Sequence, residues 1–217
     1  MMTTGSKPKR LFTMSDDITY LSAIELLDAY SNRQLSPVEV VDASLARIEN
    51  LQPTVNAFVT VCAENARRAA TEAEKAYKNN GDSGTIGGIP FSAKDLIQTE
   101  GVRTTLGSAI FSDNVPDTDA VVVQRMKESG GILIGKTTTP ALGHKAITSS
   151  LISGVSRNPW NLDHTCGGSS GGAAAAEPAL QRRAGALQRR GVARELVPRQ
   201  AEQAEPEGVR GLRRDGR

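Results

Sequence analysis

Cys166-Gly167-Gly168-Ser169-Ser170-Gly171-Gly172-Ala173, followed by three more alanines, is the most distinctive segment of the sequence. Four glycines and two adjacent serines remove almost every side chain from this backbone. That composition permits positive φ and lets a ligand approach main-chain N–H groups closely. The alanines that follow begin a tightly packed helix. Taken alone, the segment is compatible with a phosphate cradle at a helix N-terminus or with a flexible linker. It matches neither G-x-x-x-x-G-K-[ST] nor G-x-G-x-x-G, so its meaning comes from what surrounds it.

Upstream, helical and strand-like patterns alternate. Apolar spacing predicts an amphipathic helix over residues 18–30, with Leu21, Ile24, Leu26 and Leu27 on one side. Ser36, Pro37 and Glu39 form a capping box that opens a second helix to about Ile48. Residues 56–61 read as a short strand, and 63–78 as an Ala-rich helix that Asn79-Asn80-Gly81 stops. Residues 89–93 read as a buried strand that delivers Lys94 at its end. Asp117 or Asp119 caps a helix through Val121, Val122, Val123 and Met126, which Gly130-Gly131 ends before the strand Ile132-Leu133-Ile134. This alternation points to an α/β fold.

The composition changes at about Ala176. All eight aromatic residues and all eight lysines lie before that point, whereas the 41 residues 177–217 hold ten Arg and only seven large apolar side chains. Such a stretch buries too little apolar surface to offset roughly 1–2 kcal/mol of backbone ordering per residue. It is expected to be disordered or loosely helical. A basic low-complexity tail and an Arg-rich RNA-binding arm are two readings of it. The preferred third is an out-of-frame translation of a GC-rich gene, whose codons specify Arg, Ala, Gly and Pro. The domain reading is therefore a flexible N-terminus over 1–17, a partial domain over 18–176 and an Arg/Ala/Gly-rich tail over 177–217.

A net charge of +2 gives no electrostatic footprint for nucleic acid. Cys62 and Cys166 stand in neither a C-x-x-C nor a metal-ligand spacing, which fits a reduced cytosolic setting without disulfide or zinc. Residues 1–10 are polar and basic with no apolar h-region after them, and no membrane-length apolar run occurs. The expectation is a cytoplasmic protein with no membrane partner.

Five segments occur in order: Gly87-Gly88-Ile89-Pro90-Phe91-Ser92-Ala93-Lys94-Asp95; Gly101-Val102-Arg103-Thr104-Thr105; Gly135-Lys136-Thr137-Thr138-Thr139-Pro140; Gly154-Val155-Ser156-Arg157-Asn158-Pro159-Trp160-Asn161; and Gly167-Gly168-Ser169-Ser170-Gly171-Gly172. Together they closely resemble the amidase signature family over about residues 18–176. The resemblance implies an amidase-signature fold, a mixed central sheet flanked by helices, present here incompletely. It also implies unpaired strand edges, because the family's core sheet continues beyond residue 176.

The resemblance further implies a Ser-Ser-Lys machinery that hydrolyses a carboxamide C–N bond. Lys94 matches the lysine that acts as general base. Ser169 matches the bridging serine, held in a cis peptide, that relays protons. A lysine serves as base only when neutral, which requires burial to lower its pKa from about 10.4. The apolar Ile89-Pro90-Phe91 run supplies that burial. Glycine N–H groups near the nucleophile would stabilise the oxyanion. Family members place the nucleophilic serine about two dozen residues beyond the bridging serine, in a G-G-S-I-R-like segment. Here that region reads Arg190-Gly191-Val192-Ala193-Arg194, and no Ser, Thr or Cys follows Ser170. No nucleophile is therefore assigned in this chain, since in the family the position of Ser170 flanks the relay serine and does not attack.

Ala141 stands where many relatives carry Glu, and Ser149-Ser150 where an acidic residue is common, which bears on the substrate pocket. Arg157-Asn158-Pro159-Trp160 reads as a structural turn with an aromatic anchor, and His144 as a pocket-wall or core residue. No cofactor or metal is expected. The partner is a small-molecule amide, and a homodimer is compatible with a full-length relative. A second reading, the amidotransferase subunit that amidates mischarged tRNA, ranks lower because that subunit usually carries an N-x-D-E-F-like run where this chain has Thr138-Thr139-Pro140-Ala141-Leu142. A third is a non-catalytic fragment with an Arg-rich binding tail.

Overall fold

The computed structural model describes residues 18–181. The expected flexible N-terminus and all of the Arg-rich stretch beyond Gln181 lie outside the described residues. A 3-10 turn (Ile18–Tyr20) leads into α1 (Ala23–Ser31), α2 (Pro37–Val55), β1 (Phe58–Val61), α3 (Ala63–Lys78) and β2 (Pro90–Lys94). After α4 (Val121–Glu128) come β3 (Ile132–Thr137), the two-residue strands β4 (Ser149–Ser150) and β5 (Gly154–Val155), and α5 (Gly171–Gln181). The main sheet has the order β1-β3-β2, with β1 antiparallel and β2 parallel to β3. This mixed sheet flanked by helices is the α/β architecture that the sequence implied.

Element starts follow local chemistry. The Ser36 capping box is present, with the Ser36 hydroxyl accepting from the Glu39 N–H and Glu39 accepting from the Ser36 N–H. The same device at Ser22 and Glu25 breaks the helix expected over 18–30 into a 3-10 turn and α1. Rotating the start this way leaves Ile24 exposed at 73% while Leu26, Ala29 and Tyr30 are buried. Helix α2 outruns its expected end at Ile48 and carries Pro53 in its last turns. It stops only at Asn56, which adopts a left-handed cap with φ 51°. Asn56 is thus a cap and not the first residue of β1. At α4 neither aspartate caps: the N-cap is Ala120, and Asp119 instead accepts from the Glu100 N–H and pairs with Lys127.

Strand β3 lies between its two partners, and all six of its residues are buried. Strand β2 is only partly buried, with Ser92 exposed, because among the described residues it forms a sheet edge. Two cores flank the sheet. Val41, Leu45, Ile48 and Val55 of α2, Ala66 and Ala70 of α3, and Ala175 and Ala176 of α5 pack with Phe58, Ile132 and Ile134. Ala93 and Leu133 pack with Val102 and Val123 in the second.

A register shift decides where two lysines point. Phe91 pairs with Leu133 but Ser92 pairs with Gly135, so β3 carries one extra residue. Strict alternation would send Lys136 toward Ile132 and Ile134, into the apolar layer under α2 and α5. The shift puts Lys136 on the Leu133 side. Lys94, next to Ala93, consequently emerges on the face that α5 covers.

Helix α5 approaches the sheet so closely that its start must be glycine. A Cβ on Gly172 would overlap the backbone N and O and the hydroxyl of Thr138. A methyl group at an exposed helical glycine gains about 1 kcal/mol of propensity. Overpacking against a backbone that cannot rotate away costs toward the upper end of about 1–3 kcal/mol. The overlap therefore wins. Gly172→Ala is expected to lower the unfolding free energy by about 2 kcal/mol, read as a lower urea midpoint at unchanged slope.

Candidate active site

The end of β2 and the loop before α5 meet at one point. Lys94 Nζ lies 2.7 Å from Ser169 Oγ and 3.0 Å from Ser170 Oγ, across 75 and 76 residues of sequence. Lys94 and Ser169 are half-buried and Ser170 is exposed. Burial holds the Lys94 amine below the ordinary lysine range. An amine held so can give up its proton more readily than a solvated one, and it already touches two hydroxyls.

The serine loop is held from both sides. The Gly168–Ser169 peptide is cis. Thr139 Oγ1 donates to the Ser169 carbonyl at 3.2 Å. Thr148 Oγ1 donates to the Gly167 carbonyl at 2.9 Å and accepts the Gly171 N–H at 3.0 Å. One threonine thereby clamps the residues on either side of the serine pair. Gly167 adopts φ 78°, a conformation open to glycine but strained for other residues.

The lysine is fixed through the residue after it. The Asp95 N–H donates to the Thr137 carbonyl, and the Asp95 carbonyl accepts from the Leu106 N–H, each at 3.0 Å. The buried Asp95 carboxylate accepts the Thr105 N–H and hydroxyl. Burial raises its pKa, an effect these donors and the Lys136 charge oppose.

Lys136 is the group to which the sequence reading gave no role. Its side chain is fully buried. The ammonium donates to the Ile97 carbonyl, to Thr99 Oγ1 at 2.7 Å and to Thr104 Oγ1 at 3.0 Å. It thus ties three points of the 97–104 loop behind the sheet, on the face opposite Lys94. Burial pushes the amine down to about 8, opposed by the Asp95 carboxylate. The signal was visible: a lysine continuing the apolar run Ile132-Leu133-Ile134 and followed by three threonines.

Two expectations fail here. His144 is exposed, because the 3-10 turn Ala141–Gly143, with Leu142 at φ 50°, carries it outward; it is not a core residue. The turn at Arg157-Asn158-Pro159-Trp160 exists, with Asn158 Oδ1 accepting the Trp160 N–H at 2.8 Å. However, Pro159 is the buried member, and Trp160 is 58% exposed. Among the described residues, no three His, Cys, Asp or Glu side chains converge as a metal ion would require, and no helix is long and apolar enough to cross a membrane.

The chain is similar to several known proteins. The amidase family model matches residues 39–179. In Geotalea daltonii, the A-type chain of glutamyl-tRNA(Gln) amidotransferase is 43% identical over 161 residues, covering 74% of this chain and 33% of that protein. An acylamidase of Rhodococcus erythropolis is 37% identical over 160 residues, with 74% and 34% covered. Among solved structures, a bacterial aryl acylamidase of the amidase signature enzymes superposes with a TM-score of 0.70 at 32% identity, over 74% of this chain and 34% of that one. The chain thus spans about a third of the length of the relatives it matches.

The buried Lys136 makes stability depend on pH with a definite sign. Its folded pKa of about 8 lies below the 10.5 of an unperturbed lysine. Between those values the unfolded chain keeps a proton that the folded chain has released, so stability rises with pH across that window. The rise amounts to about 3 kcal/mol at most. Lys136→Met is expected to abolish this component. Urea unfolding of both proteins at about pH 7 and about pH 10, compared as a difference, measures it.

Proposed function

Because the chain belongs to the amidase family, we propose that it carries the base and relay of an amide-hydrolysing site and acts on the C–N bond of a small carboxamide. The observation behind this reading is the 2.7 Å contact between Lys94 Nζ and Ser169 Oγ, made by a lysine whose amine is held below its usual pKa. Lys94 is the general base and Ser169 the proton relay. An attacking serine hydroxyl would pass its proton through Ser169 to Lys94 as its oxygen adds to the amide carbonyl. The same route returns the proton to the leaving nitrogen, which must be protonated before the C–N bond breaks. Water then removes the acyl group.

The attacking serine is the missing part. Relatives carry it in a segment for which residues 190–194 offer no hydroxyl, and no Ser, Thr or Cys follows Ser170 in these 217 residues. This polypeptide is therefore read as inactive on amides. The Arg-rich stretch after about Ala176 is read as a change of reading frame.

A second reading has one observation in its favour: the matched chain of a glutamyl-tRNA(Gln) amidotransferase is 43% identical over the shared region. Against it stands Thr138-Thr139-Pro140-Ala141-Leu142 in place of the N-x-D-E-F-like run. Stable copurification with a kinase-like tRNA-binding subunit would favour this alternative.

The purified chain is expected to release no ammonia or amine above the water background from aryl and aliphatic amides. A version continued in the frame that restores the downstream serine segment is expected to turn over. In that version Lys94→Ala or Ser169→Ala should lower kcat by about 10²–10⁴-fold. The rate should rise with pH as Lys94 loses its proton, with the rising limb below that of an ordinary lysine. Full activity in Lys94→Ala would refute the assignment.

A further inference from the structure

The amide reading leaves one contact unused. Lys94 Nζ reaches a second hydroxyl, Ser170 Oγ, at 3.0 Å, and it is this hydroxyl that is open to solvent. The Ser169 side is held inward, with its carbonyl accepting from Thr139. We propose that Ser170, driven by Lys94, is itself a nucleophile that takes the acyl group of activated aryl esters, an activity separate from amide hydrolysis and independent of any downstream serine.

Three features of the site support it besides the distance. First, the segment is clamped. Thr148 binds the Gly167 carbonyl and the Gly171 N–H, and the Ser170 carbonyl accepts the Ala174 N–H at 3.1 Å, so Ser170 is fixed on both sides. A serine held this way loses little freedom on reaction, which is the entropic part of catalysis. Second, Ser170 stands immediately before α5. The N–H groups of a helix's first turn have no carbonyl of their own helix to bond. An oxyanion formed on an acyl group attached to Ser170 develops beside these donors and the positive end of the helix. Third, the base is already in contact with the hydroxyl it would deprotonate, which meets the geometric requirement for a general base.

The step balances without further reactants. The neutral Lys94 amine takes the Ser170 proton as Oγ bonds to the ester carbonyl carbon. The tetrahedral adduct collapses, the bond to the aryloxy oxygen breaks, and the phenolate departs with the electron pair. Acyl-Ser170 and a Lys94 ammonium remain, and the ammonium releases its proton to solvent. Water attacks the acyl carbon in turn, giving up a proton to Lys94; as the acyl C–Oγ bond breaks, Lys94 returns that proton to Ser170 Oγ, and the carboxylic acid and free Ser170 result. The restriction to activated esters follows from the leaving group: a phenolate leaves as an anion, whereas an amine must first be protonated at nitrogen.

The test uses the full 217-residue chain with p-nitrophenyl acetate. Expected is a burst of p-nitrophenolate approaching one equivalent per chain, with peptide mass spectrometry placing one acetyl group on Ser170. Ser170→Ala should remove the burst. Lys94→Met should slow acylation by about 100-fold or more. The same chain unfolded in urea should not label Ser170, which separates a built site from general serine reactivity. Acetyl found on Lys94 or Ser169 and not on Ser170, a burst unchanged in Ser170→Ala, equal labelling in urea, or no label at Ser170 would each overturn the proposal.

Discussion

The close approach of α5 to the sheet at Gly172 is the constraint on which the site depends. No side chain fits between the start of this helix and Thr138, the residue just beyond the end of β3. Lys94 pairs in register with Thr137 on that same strand. A helix pressed onto Thr138 therefore carries the residues just before it, Ser169 and Ser170, over the side chain of Lys94. The alanines that follow make the contact continuous, with Ala175 and Ala176 buried against Ile132 and Ile134. Larger side chains there would lift the helix and separate the lysine from its hydroxyls.

The sheet sorts two lysines into different environments. One extra residue in β3 turns Lys136 away from the α5 face, so each face receives a single amine. Lys94 meets two serine hydroxyls and partial solvent. Lys136 meets a carbonyl, two threonine hydroxyls and the nearby Asp95 charge, out of reach of solvent. Burying an ammonium costs several kcal/mol unless its protons are satisfied, and three donated hydrogen bonds are what the 97–104 loop supplies. In return the ammonium holds that loop in place. The loop leads into Thr105 and Leu106, which bind the side chain and carbonyl of Asp95, next to Lys94. The face that holds Lys136 thus fixes the backbone of the face that holds Lys94.

Much of this was legible in the sequence, for identifiable reasons. Ser36-Pro37-Val38-Glu39 marks a helix start by local hydrogen bonding alone, and the structure has that cap. The Gly-rich segment, the lysine ending a strand and their separation were readable because each needs a particular residue type at a particular place. What escaped depends on tertiary contacts. Ser22 and Glu25 form the same kind of cap as Ser36 and Glu39, yet the apolar spacing of Leu21 and Ile24 argued for an unbroken helix. Asp119 is a good cap by type, but Lys127 and the Glu100 N–H compete for its carboxylate. The register shift in β3 leaves no mark in Ile132-Leu133-Ile134-Gly135-Lys136, so although the apolar run signals that Lys136 is buried, nothing local says which face of the sheet it enters. The exposure of Trp160 and His144 was likewise unreadable, because residue type alone suggested burial.

The serine pair is ordered by its own neighbours. Lys94, Thr139, Thr148 and the Gly167–Gly171 backbone are joined by hydrogen bonds, Thr105 holds the Asp95 carboxylate, and the Ala174 N–H of α5 binds the Ser170 carbonyl. Their geometry does not wait for an attacking group or a substrate. A base and hydroxyl held in contact before substrate arrives need little reorganisation when charge moves, which is the physical content of preorganisation. In the reactions proposed above, the identity of the nucleophile then becomes a question of reach: a hydroxyl within hydrogen-bond distance of Lys94 would have its base at hand. Within these residues that hydroxyl is Ser170.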